Sequence, residues 1–347
     1  MTTSTKKNLV ASSPCPVCSS PTVPYIPHIY DDRYGHPGSY SIMRCHSCGT
    51  LTTEPPLKPE DIGPLYTDYY PRHIIDLQSV EARGNRSETL HQRFMYWWYG
   101  NHKIQHMLPL QGDSKRVLDI GCGDGASLIE LERRGFEAYG IETDENISIV
   151  RDALKLNLHI GTIEDCPFPQ GTFDYAIANQ VIEHIIDLES FIAHTKQFMV
   201  KNGTLILSTP NADSIYRRIF GRAWAHWHIP YHQHILTSRA IGILLARHGF
   251  EVISKRTVSP TTWMIHTLNR LRFTPQQGMK NPLWAYEQKD AAASQEKPSK
   301  NHGFPAKLKS VLKRAVYLLV LNLISLCNRI VDLLQSGDCI VISARLK

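Results

Sequence analysis

The sequence predicts an α/β protein with a Rossmann-like, doubly wound and mostly parallel sheet of seven strands. Two observations predict this class. Short apolar runs alternate with helix-like segments over 115–258, and a glycine-rich turn follows the first run. Two cysteine pairs before this region indicate a small N-terminal segment of another kind. The predicted organisation is a disordered tail (1–14), a zinc-ribbon-like segment (15–71), the α/β domain (83–258), a linker with a helical insertion (259–336) and a last strand (337–347).

Each strand of the predicted sheet is a short apolar run. The intervening helix-like segments are long enough to cross the sheet, so neighbouring strands are expected to run parallel. The strands are RVLDI (116–120), EAYGIE (137–142), LHIG (158–161), FDYAIAN (173–179), GTLILSTP (203–210), FEVISKRTV (250–258) and, after the insertion, GDCIVISARL (337–346). The helices are expected at 126–134, 146–156, 188–200 and 237–248, and 83–110 also has helical character with a bulky aromatic cluster.

Net charge and hydropathy indicate where in the cell the protein is located. The 347 residues carry a formal net charge of +6, which permits an anionic partner without requiring one. The N-terminus lacks the apolar core of a secretion signal, and no stretch is expected to reach the roughly 20 apolar residues of a membrane span, 315–327 being the nearest. A cytoplasmic protein is predicted. The basic helix at 307–334 is expected to cover the sheet, to cap the active site or join a dimer, or to lie on the inner membrane face.

Four of the eight cysteines form two C-x-x-C pairs. Cys15 and Cys18 are the first pair, and Cys45 and Cys48 are the second. Each pair can direct two thiolates at one ion, so together they form the tetrahedral four-thiolate set of structural zinc. A closed shell leaves no position for a substrate, and the predicted Zn²⁺ therefore stabilises the segment without catalysing a reaction. Four reduced thiols without a metal are the alternative.

The glycine-rich turn VLDIGCGDG indicates a cofactor loop. Gly121 and Gly123 allow the backbone to turn tightly and to approach a ligand closely. The spacing is G-x-G-x-G, and Asp119 and Asp124 beside it would repel a pyrophosphate. Two carboxylates suit a cationic ligand such as S-adenosylmethionine. Glu142 ends the second strand, at the spacing expected for a carboxylate that binds ribose hydroxyls.

VLDIGCGDG, GIE and GTIEDCPFPQGTFDYAIANQVIEHI together resemble class I S-adenosylmethionine-dependent methyltransferases, in particular the ubiquinone-biosynthesis O-methyltransferases and their sugar-modifying relatives. The resemblance covers about 116–258. It implies that the cofactor is held by Asp119, Gly121 and Gly123 at the methionine part, by Glu142 at the ribose, and by Thr162, Ile163 and Glu164 at the adenine edge. Asn179 is a further predicted cofactor-binding residue. Many relatives carry an acid at the position of Thr162, so adenine contact there is expected to rest on backbone groups. The phrase RCHSCGTLTTEPPLKPEDIGPLYTDYY resembles the zinc-ribbon-like segment that precedes some bacterial sugar methyltransferases.

Candidate bases lie after the fourth and fifth strands, where ligands of open parallel sheets bind. A near-neutral imidazole there can accept a proton from an acceptor hydroxyl. The candidate catalytic residues are Glu183 and His184 after the fourth strand and His232 and His234 after the fifth. A purely structural role is the alternative for each. The ubiquinone-type enzymes carry an E-x-x-E-H stretch linked to a divalent ion, and Gln180 at its first acidic position argues against a catalytic metal here.

The sequence therefore predicts methyl transfer from S-adenosylmethionine to a small-molecule or sugar-like acceptor, free or linked to a nucleotide or lipid. RNA methylation and a non-catalytic zinc-containing scaffold are the alternatives. The modest charge and the lack of a basic, aromatic stripe disfavour nucleic acid as a partner. The oligomeric state is not predicted.

Overall fold

A computed structural model describes residues 13–71, 75–101, 103–284 and 304–347; the side chains of 304–310 are not described. Its main sheet has seven strands in the order β10-β11-β8-β7-β4-β5-β6, and a second sheet has the order β1-β2-β3-β9. The strands are β1 (Thr22–Tyr30), β2 (Ser39–Cys45), β3 (Leu51–Glu54), β4 (Arg116–Ile120), β5 (Glu137–Glu142), β6 (Asn157–Ile160), β7 (Phe173–Asn179), β8 (Met199–Pro210), β9 (His234–Ile235), β10 (Phe250–Val258) and β11 (Cys339–Leu346).

The main sheet is parallel from β6 to β8 and antiparallel at its other edge. Strands β4, β5, β6, β7 and β8 pair in parallel, while β11 lies antiparallel between β8 and β10. The central strands are buried on both faces, and Val117 and Leu118 have no exposed surface. The predicted fold class is therefore confirmed, including the last strand that returns after the insertion.

Helices cover both faces of the sheet, and some of them begin at side-chain caps. The Asp187 carboxylate accepts a hydrogen bond from the backbone N–H of Ser190, and the Thr237 hydroxyl accepts one from the N–H of Ala240. The helices are α1 (Pro59–Pro64), α2 (Leu77–Gly84), α3 (Leu90–Tyr99), α4 (Ala126–Arg133), α5 (Ser148–Leu154), α6 (Leu188–Phe198), α7 (Ile215–Phe220), α8 (Ser238–Arg247), α9 (Thr261–Arg272) and α10 (Phe304–Leu333). The helical stretch expected at 83–110 is divided, because α2 ends at Gly84 and Thr89 caps a new helix.

The N-terminal segment shares its core with the α/β domain. Strand β9 belongs to the α/β domain, yet it extends the N-terminal sheet through Leu51 paired with Ile235 and Thr52 paired with His234. The apolar side chains of β1–β3 pack in one cluster with Trp224 and other residues that follow β8. The segment is therefore built into the α/β domain by a common sheet and a common core.

The insertion before β11 contains α9 and α10. Helix α10 includes one stretch, Val311–Leu333, that is long and apolar enough to cross a membrane by length and composition. This differs from the expectation that no stretch reaches that length, because the apolar character of the helix continues past Asn322 and Ser325 to Leu333. Most of the predicted tail (1–14), and residues 285–303 of the predicted linker and insertion, lie outside the described residues.

Candidate active site and zinc centre

The cofactor loop lies between β4 and α4, and its glycines have the conformations that the turn requires. Gly121 and Gly123 have φ values of +71° and +59°, in the region that favours glycine. A Cβ on Gly121 would lie 2.6 Å from Val181 Cγ2, whereas a Cβ on Gly123 would meet no atom within 4 Å. The loop therefore packs on one side and faces open space on the other, as a loop that receives a ligand must.

The Glu142 carboxylate lies against this loop. Its Oε2 accepts a hydrogen bond of 2.8 Å from the Gly123 backbone N–H, and its Oε1 accepts one of 2.7 Å from the Thr143 N–H. Oε1 also accepts hydrogen bonds from the Thr143 hydroxyl and the Asp144 N–H. A carboxylate oxygen has two lone pairs, so Oε2, which among the described residues accepts only the Gly123 N–H, can still receive a ribose hydroxyl. The glycine loop and the Glu142 carboxylate thus meet at the carboxyl ends of β4 and β5, where an adenosyl ligand would be held.

The two aspartates of the loop differ from the sequence-based expectation of free charges beside a cation. Asp124 pairs with Arg83 at 2.6 Å, and Asp119 accepts a hydrogen bond of 2.6 Å from the Ser127 hydroxyl. Burial raises the pKa of Asp119 to about 7, so this carboxyl is only partly ionised at neutral pH. Glu142 is therefore the acid best placed to face a ligand.

The adenine edge predicted after β6 is organised by an acid that the sequence reasoning did not select. Asp165 accepts hydrogen bonds from the Thr162 backbone N–H at 2.7 Å and from His159 Nε2 at 3.0 Å. Ile163 is buried and Glu164 is exposed. Asn179, the last residue of β7, accepts a hydrogen bond of 2.5 Å from the Ser208 hydroxyl. The roles of these residues toward the cofactor stay predictions.

The four paired cysteines converge on one point. The sulfur atoms of Cys15, Cys18, Cys45 and Cys48 all lie within 4.8 Å of one another. Cys15 Sγ is 3.5 Å from Cys48 Sγ, and Cys18 Sγ is 3.4 Å from Cys45 Sγ. Four thiolates at about 2.3 Å from one Zn²⁺ have mutual distances near ~3.8 Å, so the geometry fits a zinc ion.

His184 and His232 lie together at the carboxyl edge of the sheet. Their ring centroids are 4.8 Å apart, and His228 lies 4.9 Å from His232. His184 Nδ1 is 3.0 Å from the Tyr231 carbonyl, and His232 Nδ1 is 2.8 Å from the His226 carbonyl. A carbonyl only accepts, so each Nδ1 carries the proton and each Nε2 is left as the acceptor. Burial lowers the pKa of His184 to about 4, which keeps the ring neutral at physiological pH.

The other two predicted catalytic residues have different surroundings. Glu183 is fully buried, and its Oε2 accepts a hydrogen bond of 3.0 Å from the Thr209 hydroxyl. Glu183, His184 and His232 each have one possible metal-ligating atom, and these three atoms lie within 4.8 Å of one another. The three residues therefore have the spacing of a cation site. His234 directs Nε2 at the Ile186 carbonyl, 3.2 Å away, which is the contact of a structural histidine.

Tyrosines from the N-terminal segment surround the histidines. Tyr34, Tyr66 and Tyr70 each place a ring within 5.5 Å of the Tyr231 ring, and Tyr231 stacks on His228 at 4.7 Å. The Tyr66 hydroxyl is 3.1 Å from His184 Nδ1. The predicted catalytic residues include none of these tyrosines. The motif YTDYY, which contains Tyr66 and Tyr70, was the available signal for those two.

Several buried polar atoms at this cluster have no hydrogen-bond partner among the described residues. They are Oε1 of Glu183, Nε2 of His228 and the hydroxyl of Tyr231. Buried polar groups are almost always hydrogen-bonded in native proteins, so these atoms are expected to bond to ordered water or to a ligand. Hydroxyl groups of an acceptor would satisfy both donors and acceptors here.

The fold and the glycine loop define a class of protein, and the comparisons agree with it. A family model described as a methyltransferase domain matches residues 87–255. Residues 87–255, just under half of the chain, therefore match a methyltransferase domain, in agreement with the resemblance found in the sequence.

Among its relatives is a ubiquinone biosynthesis O-methyltransferase of Rickettsia conorii, 27% identical over 47% of this chain and 62% of that protein. The human mitochondrial ubiquinone biosynthesis O-methyltransferase is 33% identical over 41% of this chain and 38% of that protein. The matches thus span less than two thirds of these relatives' length. A solved geranyl diphosphate C-methyltransferase of Streptomyces coelicolor is 15% identical, with a TM-score of 0.45, over 84% of this chain and all of that one.

Replacing Glu142 by glutamine should weaken cofactor binding. The substitution removes the charge and turns an amide N–H₂ toward donors that the carboxylate now accepts, and hydrogen bonds to charged groups are worth about 1.5–3 kcal/mol. We expect calorimetry to show roughly 10- to 100-fold weaker binding of S-adenosylmethionine and S-adenosylhomocysteine. Exposed Glu145, three residues further on, is the matched control for substitution by glutamine. Equal affinity in wild type and Glu142→Gln would remove Glu142 from the site.

Glu183 should make stability fall as pH rises. Burial raises its pKa to about 8, well above the ordinary value of 4.5, so the folded state binds a proton that the unfolded state has lost. Between about pH 4.5 and 8 its contribution to the free energy of unfolding therefore decreases, by about 1.4 kcal/mol per pH unit at most. Thermal unfolding of Glu183→Gln should lack this slope, so its melting temperature should gain on wild type as pH rises. Parallel curves for the two proteins would contradict the prediction.

Proposed function

We propose that this protein transfers the methyl group of S-adenosylmethionine to a sugar-like, polyhydroxylated small molecule, either free or linked to a nucleotide or lipid. The observation that supports it best is the shared edge of the sheet. The hydrogen bond between Gly123 and Glu142 marks the donor site, and Val181, in contact with Gly121, leads directly into His184. The proposed S-adenosylmethionine site and the candidate bases therefore lie at the same edge of the sheet.

S-adenosylmethionine supplies a methyl group on a sulfonium, poised for in-line displacement. A new bond forms between the methyl carbon and the acceptor atom, while the carbon–sulfur electron pair stays on sulfur. An acceptor hydroxyl must lose its proton, and the unprotonated Nε2 of His184 or His232 is positioned to accept it. Their low pKa values keep these bases neutral at physiological pH, although they also limit their strength.

The polar atoms around the bases support a hydroxyl-rich acceptor. Glu183, His228 and Tyr231 present unpaired hydrogen-bonding groups, and the rings of Tyr66 and Tyr70 provide flat apolar surface. Sugars combine both needs, because their hydroxyls bond to polar atoms and their C–H faces pack on aromatic rings. The N-terminal segment contributes Tyr66 and Tyr70 and so helps to form the acceptor site. We also propose that the enzyme works in the cytoplasm.

Two measurements test the proposal in order. Calorimetry should give micromolar binding of S-adenosylmethionine, and no binding up to millimolar concentration would leave only a scaffold. Transfer of a labelled methyl group should then be seen with a panel of nucleotide-linked sugars. Methylation of a quinone precursor or RNA, with none of the sugars, would overturn the acceptor class while leaving the methyltransferase activity standing.

A further inference from the structure

Helix α10 presents an apolar surface that nothing in the described chain covers. Every residue from 311 to 320 is exposed, and the larger side chains of this half are almost all apolar. Leu319 is 61% exposed, and further along the helix Leu323, Leu326 and Ile330 remain about half exposed. Soluble monomers rarely expose a contiguous apolar surface of this extent, so the helix is expected to have a partner.

Helix α3 extends this surface with aromatic rings. The Trp98 indole N–H donates a hydrogen bond of 2.8 Å to Asn322 on α10, which holds the two helices side by side. Phe94 and Trp97, 5.6 Å apart, are both about half exposed. Tryptophan favours the boundary between lipid headgroups and acyl chains, because its ring is apolar and its N–H polar. We call Phe94, Trp97 and the exposed apolar residues of α10 the α3–α10 surface.

The charged residues of α10 as far as Val331 are all basic. Lys313 and Arg314 are exposed on α10, and Lys307 and Lys309 precede them in the sequence. The sequence has no aspartate or glutamate from 297 to 331. A second copy of the chain would bring like charges together, whereas anionic lipid headgroups complement them.

The free part of α10 is too short to span a bilayer. Its C-terminal half is fixed to the body of the protein, since Asn328 and Arg329 are buried and both donate hydrogen bonds to the Ser259 carbonyl. The stretch from 304 to 320 is helical, and 17 residues at 1.5 Å per residue reach only about 25 Å, less than the roughly 30 Å hydrocarbon core. The helix can therefore enter one leaflet or lie along the headgroups.

We propose that the α3–α10 surface binds an anionic lipid bilayer peripherally, with Lys313 and Arg314 among the headgroups and Trp97, Val316 and Leu319 below them. The docked end of α10 lies beside the end of β10, which pairs with Cys339 where β11 meets the end of β8. That is the carboxyl edge of the parallel strands, the edge at which the cofactor loop also lies. A membrane-bound protein would thus present its active-site edge close to the lipid surface.

Vesicle co-sedimentation of the full chain, without cofactor or acceptor, tests the proposal independently of methyl transfer. We expect the protein to sediment with phosphatidylcholine vesicles that contain phosphatidylglycerol and far less with phosphatidylcholine alone. The Lys313→Glu, Arg314→Glu double variant should lower partitioning at least ~30-fold, because each basic residue near an anionic surface contributes measurably to binding. The Val316→Asp, Leu319→Asp double variant should lower it roughly 100-fold or more.

Matched controls carry the same changes elsewhere on the surface. Ile149→Asp on α5 and Lys201→Glu before the buried part of β8 alter exposed residues far along the chain from α10, and both should bind vesicles as wild type does. Equal loss in the controls, or equal binding to both kinds of vesicle, would overturn the proposal. So would a dimer, seen by sedimentation equilibrium, that Val316→Asp, Leu319→Asp converts to a monomer while wild type ignores vesicles.

Discussion

Replacing Cys45 by serine is expected to release zinc and to unfold the N-terminal segment. Cys45 lies at the end of β2, where its sulfur closes the four-cysteine cluster. Structural zinc contributes on the order of 10 kcal/mol of apparent binding free energy in zinc-finger peptides, so loss of one ligand should unfold this small unit outright. Metal analysis should fall from one zinc per chain to almost none.

The effect of Cys45→Ser should reach the acceptor site. The Thr53 hydroxyl donates a hydrogen bond of 2.7 Å to the His232 carbonyl, and the Thr53 N–H donates one of 3.0 Å to the Gln233 carbonyl. Loss of the segment would free the backbone of His232 and withdraw the tyrosines from it. Methyl transfer should therefore disappear, while the Gly123 and Glu142 contact, which is formed entirely within the α/β domain, should still permit cofactor binding.

A second thiol provides the control for this variant. Cys166 is half-buried in the α/β domain and lies outside the four-cysteine cluster. Cys166→Ser should keep zinc, the melting temperature and resistance of 15–71 to protease. If Cys45→Ser also kept its zinc and its protease resistance, the cluster would be four thiols with no structural metal.

The main sheet and the cofactor loop could be predicted from the sequence alone. The strands of the main sheet are short apolar runs, and the parallel pairing of β4, β5, β6, β7 and β8 follows from the length of the crossovers between them. Gly121 and Gly123 follow β4, and Glu142 ends β5, which pairs with β4 in parallel. Because the carboxyl ends of neighbouring parallel strands lie at one edge of a sheet, the contact between the glycine loop and Glu142 could be predicted. It could likewise be predicted that the two C-x-x-C pairs direct their four sulfur atoms at one ion.

Contacts between distant segments could not be predicted. The pairing of β3 with β9 joins residues about 180 positions apart, and two-residue strands have no signal in a sequence pattern. The rings around Tyr231 come from both sides of that pairing, so the acceptor site was seen only as separate histidines. Arg83, which pairs with Asp124, lay in a stretch expected to be one helix, so the neutralisation of that acid was missed.

Alanine at His184 or at His232 should abolish most turnover without weakening cofactor binding. Positioned general bases contribute about 10²- to 10⁴-fold, and we expect at least one of the two variants to lose that much in kcat. Affinity for S-adenosylhomocysteine should stay within a few-fold of wild type, because neither ring contacts the glycine loop. His194 on α6, bonded to the Ser190 carbonyl, is the matched control, and His194→Ala should remain fully active.

The pH profile separates a base from a merely structural ring. Burial lowers the pKa of His184 to about 4, so this imidazole is neutral and able to accept a proton throughout pH 6–8. If it is the base, kcat/KM should show no fall from its protonation in that range and should decline only as pH approaches 4. Full activity in both His184→Ala and His232→Ala would refute the assignment of either as the base.

Thr53 distinguishes the role of His232 from that of His184. Thr53→Val removes the hydroxyl that holds the His232 carbonyl but leaves the Tyr66 and Tyr231 contacts of His184 in place. If His232 accepts the proton, Thr53→Val should lower kcat in part, and His232→Ala should lower it fully. If His184 accepts it, His184→Ala should be the more severe variant and Thr53→Val should have little effect on kcat. The order of the three rates therefore identifies the base.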